Sequence, residues 1–106
     1  MLTDTTDVLR ALADPTRRAV FERLSRGEAS VGELTRDFDV SQPAISQHLA
    51  TLKRAGLVTA RQSGRNAFYS ADPTGLAPLV DWIGRYQQFW RGRLRRLESL
   101  LKDMDE

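Results

Sequence analysis

The strongest constraint on this chain lies between Val31 and Ser70, where two short helical patterns, each with its own start signal, run into two strand-like segments joined by a glycine turn. Ser30 stands three residues before Glu33, the spacing of a reciprocal N-terminal cap, and Val31, Leu34 and Phe38 then recur at helical intervals to about Asp39. Ser41 is placed to cap the next helix, and Ile45, Leu49 and Leu52 form one apolar stripe on it. Gly56 suits a left-handed stop.

Only Asp39 and Val40 separate the two helices, so they must turn sharply, and the second is expected to project the face opposite its stripe outward. That face carries Pro43, Ser46, Gln47, Ala50 and Arg54, flanked by Gln42 and Thr51. Nearly all are short or polar, which is what close approach to a major groove requires, with amides and hydroxyls near the N-terminus to meet base edges. Gln42, Ser46 and Gln47 are the expected base readers; Pro43 costs no hydrogen bond in the first turn, and the free amides there suit a phosphate.

Residues 57–61 and 67–70 are expected as two strands, with Gln62 to Asn66 as the turn between them. Arg61 and Arg65 flank its tip and, with Thr51, Lys53 and Arg54, are expected to hold the sugar–phosphate backbone. The order is that of a winged helix-turn-helix: a mainly α fold with a small β-hairpin, and a reader of double-stranded DNA.

Leu12-Ala13-Asp14-Pro15-Thr16-Arg17-Arg18, Ser41-Gln42-Pro43-Ala44-Ile45-Ser46-Gln47-His48-Leu49 and Ala55-Gly56-Leu57-Val58 make the reading more specific. From about Val8 to Tyr69 the chain resembles the ArsR/SmtB family of bacterial winged-helix repressors. The resemblance implies a homodimer on an inverted-repeat operator, often at its own promoter, with release of DNA by an effector in many members.

Many members sense metals, through Cys-x-Cys or Cys-Val-Gly in the first helix of the motif or through Asp, His and Glu on the last helix. This chain has Ser30-Val31-Gly32 at the first place and no cysteine anywhere, so it offers no thiolate to a soft metal or to redox sensing. Its last helix lacks histidine and leaves Asp81 isolated, whereas a tight site needs several converging ligands. No metal site and no cofactor are expected, and the effector is unspecified. The single histidine, His48, flanks the buried stripe of the reading helix and is read as structural.

The 106 residues, 41% of them hydrophobic, are expected to form a single domain, with N-terminal helices over 1–27, the helix-turn-helix over 30–55, the wing over 57–71 and a C-terminal helix over 76–104. No apolar run is long enough to span a bilayer, and the polar start Met1-Leu2-Thr3-Asp4 is unlike a secretory signal, so a cytoplasmic protein is expected. The net charge of +2 says little until it is divided along the chain. Residues 1–40 carry six basic and eight acidic side chains, residues 41–75 four and one, and residues 76–106 six and five, so the positive excess falls on the reading helix and wing.

The outer segments are expected to form a dimerisation frame. Val8, Leu9 and Leu12 suit a short first helix; Asp14 caps a second, with Pro15 in its first turn, Ala19, Val20, Phe21 and Leu24 facing inward, and Gly27 at its end. Arg17 and Arg18 fit the family's signature, and local ion pairs are expected of them ahead of direct DNA contact. In the last segment Leu79, Ile83, Tyr86, Trp90, Leu94, Leu97, Leu101 and Met104 recur every three or four residues. At 1.5 Å per residue a helix from Pro78 to Met104 runs roughly 40 Å, longer than so small a domain can cover, so a second copy is expected over it. Packing is expected of Trp82, Tyr86 and Trp90 ahead of the alternative, a pocket in which they would stack on an apolar or aromatic effector.

Two other function classes make different demands on the sequence. A winged helix that binds proteins without reading DNA would not need Gln42, Ser46, Gln47 or Arg65. An enzyme is not expected: there is no cysteine nucleophile, no phosphate-binding glycine loop, and no serine, histidine and carboxylate set at a recognisable spacing.

Overall fold

The computed structural model describes residues 4–104, so the outermost residues of the expected domain, 1–3 and 105–106, lie outside the described part. Two helices open it, α1 (Thr5–Ala13) and α2 (Pro15–Ser25). Asp4 and Asp7 close a reciprocal cap on α1, and the Asp14 carboxylate accepts from the Arg17 backbone N–H at 2.8 Å to start α2. Among the described residues Arg17 and Arg18 form no ion pair, contrary to expectation. The Arg17 guanidinium donates to the carbonyls of Ala11 and Arg10, and Arg18 donates to that of Leu12, so both arginines satisfy the otherwise orphaned C-terminal end of α1.

A two-residue strand, β1 (Ala29–Ser30), leads directly into α3 (Val31–Phe38). Ser30 serves both elements: it pairs with Phe68 in the sheet, and its Oγ accepts from the Glu33 N–H at 3.2 Å while Glu33 reaches back to the Ser30 N–H. Asp39, at φ +51, turns the chain into α4 (Gln42–Arg54), which Ser41 caps through the Ala44 N–H at 3.2 Å. The wing follows as β2 (Val58–Ser63) and β3 (Asn66–Ala71).

The sheet is antiparallel in the order β1-β3-β2, so a third strand joins the hairpin expected from sequence. Ser63 pairs with Asn66, leaving Gly64 and Arg65 as a two-residue turn; Gly64 at φ +61 supplies the left-handed first position of a type II′ turn. The hairpin is therefore longer, and its tip tighter, than the five-residue turn expected over Gln62 to Asn66.

The core joins Val8 and Ala11 of α1, Val20, Phe21 and Leu24 of α2, Leu34 of α3, Ile45, Leu49 and Leu52 of α4, and Leu57 and Val58 at the root of the wing. Val8 is 0% exposed, which corrects its assignment to a dimer interface: its side chain is consumed by the chain's own core. Leu12 packs half-buried against the same core, and Leu9 is exposed.

After β3 a 3-10 turn (Pro73–Leu76) leads into α5 (Ala77–Gly84) and α6 (Gln87–Met104), so the continuous C-terminal helix expected from sequence is jointed. At the joint the Arg85 N–H reaches Asp81 and Trp82 carbonyls at 3.3 and 3.2 Å and the Tyr86 N–H reaches Ile83 at 3.0 Å, a tightened turn where Gly84 is free to bend. Leu76 and Leu79 pack on the core, but α6 extends beyond it, and the described molecule measures 62 × 34 × 20 Å. No helix among the described residues is long and apolar enough to cross a membrane.

Candidate nucleic-acid interface

The packing of α4 decides which of its side chains face outward. Ile45, Leu49 and Leu52 are at most 1% exposed, and burying that stripe leaves Gln42, Pro43, Ser46, Gln47, Ala50, Lys53 and Arg54 on the open side. The expected base readers Gln42, Ser46 and Gln47 thus share one exposed, uncharged surface at the amino end of the helix. Only short or flexible side chains stand there, and the first-turn amides are directed out of the helix end, so a duplex can approach closely.

Farther along, Thr51 does not offer its hydroxyl. It is half-buried, donates to the Gln47 carbonyl at 3.1 Å and accepts from Arg54 Nη2 at 3.3 Å. In this arrangement Thr51 braces the Arg54 guanidinium, with its hydroxyl turned to its own helix. Thr51 and Arg54 also line a hollow of mixed polar and apolar character with Asp7, Arg10, Ala11, Arg17 and Ala55, where the end of α4 meets α1 and α2. Lys53 is exposed at the end of α4.

The two wing arginines part ways. Arg65 stands exposed at the tip and has no ion-pair partner among the described residues. Arg61, on β2 opposite Phe68, turns across the sheet: its guanidinium lies 5.0 Å from the centre of the Phe68 ring, and Nε and Nη2 donate to the two carboxylate oxygens of Glu28, the first at 3.0 Å. That hydrogen bonding holds the Glu28 carboxyl below its ordinary range and raises the pKa of Arg61. Glu28 precedes β1 and is separated from Arg61 by 33 positions, a pairing for which the sequence carries no periodic signal.

His48, half-buried on α4, belongs to the scaffold. The carboxyl of Asp14 is held below its ordinary value of 3.8 first by the Arg17 backbone N–H and then, against some desolvation, by the charges of His48 and Arg17. Among the described residues no three of His, Cys, Asp and Glu converge as a metal site.

The C-terminal helices leave a long apolar stripe open. Ile83, Tyr86, Trp90, Leu94, Leu97 and Leu101 are each about half exposed, and Met104 at the end of the stripe is 80% exposed. Trp82, Ile83, Tyr86, Phe89 and Trp90 line an open hollow of about 380 Å³ at the joint between α5 and α6. Trp82 meets Tyr86, and Phe89 meets Trp90, edge to face.

Residues 12–61 match the family model of a helix-turn-helix domain. The chain is 50% identical over 92 residues to an HTH-type transcriptional regulator of Mycobacterium tuberculosis, covering 87% of this chain and 83% of that one. It is 34% identical over 77 residues to the transcriptional repressor SdpR of Bacillus subtilis, covering 73% and 86%. The crystal structure of an ArsR family transcriptional regulator superposes with a TM-score of 0.72 at 35% identity, over 81% of this chain and 89% of that one.

Proposed function

The chain belongs to the ArsR family of winged helix-turn-helix transcriptional regulators, and we propose that it works as a homodimeric repressor that occupies an inverted-repeat operator near a promoter, its own included. The observation that carries this reading is the division of α4 into a fully buried stripe and an exposed face bearing Gln42, Ser46 and Gln47. Their amide and hydroxyl groups select bases, while Lys53, Arg54 and Arg65 hold the backbone. Occupancy of the promoter then excludes polymerase. The site of action is the cytoplasm, where the promoter lies.

The second copy is supported by the open stripe of α5 and α6, more apolar surface than a lone chain of this size leaves to water. Charge supports its orientation. Within α6, residues 87–96 carry four arginines and no acid, whereas residues 97–104 carry Glu98 and Asp103 against Lys102 alone. Two α6 helices side by side in opposite directions lay the basic half on the acidic half, and their dipoles agree with that arrangement. Leu9, Leu12, Ile83, Tyr86, Trp90, Leu94, Leu97 and Leu101 form the interface. The hollow at the joint is filled by packing against the partner rather than by an effector, since its lining is almost wholly apolar and places no polar group to orient a ligand.

Fluorescence anisotropy on a duplex from the chain's own upstream region, against a scrambled duplex at physiological salt, tests the reading. Saturable binding of two chains per duplex with a preference of about a thousandfold is the expected result. Equal, weak, salt-sensitive binding to both, repeated across a genomic library, would overturn it.

A further inference from the structure

Arg61 stands on the wing three residues before its tip, yet its guanidinium fork is occupied from within the chain. Glu28 meets Nε and Nη2 with both carboxylate oxygens, and Phe68 lies under the guanidinium plane. A phosphate group engages an arginine through the same two-pronged geometry. The pair is also at the surface, with 58% of the Arg61 side chain and 38% of that of Glu28 exposed, where partners exchange at little cost. We propose that Glu28 is an intramolecular competitor for phosphate at Arg61, a built-in restraint on how strongly the wing grips DNA.

The proposal rests on the DNA-binding reading and deepens it. Phosphate contacts add affinity without distinguishing sequences, so releasing Arg61 strengthens binding to every duplex. Arg65, exposed at the tip, remains the wing's standing backbone contact. Phe68 keeps the Arg61 stem extended across the sheet, so the guanidinium is already ordered when a phosphate displaces Glu28.

The test compares the full-length protein, Glu28→Ala, Arg61→Gln and the double variant on operator and scrambled duplexes across a salt series. Glu28→Ala should tighten binding to both duplexes by about threefold to tenfold at every salt concentration, because the phosphate reaches Arg61 in both proteins and only the wild type must first give up the Glu28 pair. Adding it to Arg61→Gln should gain nothing. A gain that persists in the double variant would assign the effect to the lost charge of Glu28 alone, and weaker or unchanged binding by Glu28→Ala would make the pair a brace; each overturns the proposal. The Arg61 Nε–H resonance separates this from the DNA reading. It should be protected from exchange in the DNA-free wild type and exposed in Glu28→Ala, whether or not any duplex binds, and an unprotected wild-type resonance also overturns the proposal.

Discussion

Gly75 lies against the backbone of Gly56, so closely that a methyl group on its Cα would overlap the Gly56 carbonyl oxygen and stand 2.7 Å from the carbonyl carbon. Gly56 itself takes φ +77 to end the reading helix, a conformation that side chains disfavour. One glycine is required by the turn and the other by the lack of room above it. Nearby, the Asp72 N–H donates to the Leu57 carbonyl at 2.7 Å. The carboxyl end of α4 is thereby fastened to the segment that starts the C-terminal helices. Gly75→Ala is expected to lower stability by about 1 to 3 kcal/mol, because backbone rather than a flexible side chain must move. Urea unfolding at constant slope checks it, and an unchanged midpoint would show that the contact relaxes freely.

Gln47 and Arg65 should separate readout from grip. Gln47→Ala is expected to cost about 1 to 3 kcal/mol on the operator and little on random DNA, whereas Arg65→Ala should weaken both and flatten the salt dependence by about one. Anisotropy titrations on the two duplexes measure both. Equal losses for Gln47→Ala would remove it from the base readers.

Leu97 stands at the middle of α6 and is 52% exposed in the single chain. Leu97→Glu therefore leaves the monomer fold intact and should halve the mass seen by sedimentation at micromolar concentration, with unchanged far-ultraviolet circular dichroism. Val8→Glu, aimed at a side chain within the core, should instead unfold the chain. A Leu97→Glu protein that still sediments as a dimer would place the interface elsewhere.

The Asp14 cap predicts an acid dependence. Its folded carboxyl titrates below 3.8, so the ionised cap contributes stability above that value, and the contribution is lost as pH falls through the folded pKa. The asparagine introduced by Asp14→Asn caps without titrating. The stability advantage of wild type over Asp14→Asn should therefore shrink as pH falls from about 5 to below the ordinary carboxyl value, followed by urea midpoints at each pH. A constant difference would mean that the carboxylate charge contributes nothing.

Arg17 touches two carbonyls at the end of α1, at the place where a family signature invites a DNA role. Arg17→Ala is expected to lower stability by about 1 to 2 kcal/mol through loss of charged hydrogen bonds. Operator preference over random DNA should be unchanged. A selective loss of operator affinity in a folded variant would return Arg17 to the interface.

What the sequence determined by itself was local. Ser30 with Glu33, Asp14 before Pro15, Ser41 and Gly56 mark helix ends through contacts spanning three or four residues, and the Ile45, Leu49 and Leu52 stripe follows from helical period alone. Those signals were enough to orient the reading face, while the family resemblance rests on the runs Leu12 to Arg18, Ser41 to Leu49 and Ala55 to Val58. Tertiary structure decided every pairing between distant segments: Glu28 on Arg61, β1 on β3, Gly75 on Gly56 and Arg17 on the end of α1. None has a sequence period, since each arises only when separately formed elements are brought together. The same reason explains Val8 and the C-terminal joint. Apolar spacing shows that a face will be covered, but only packing determines whether the chain's own core covers it, as for Val8, or leaves it open to a partner, as for Leu97.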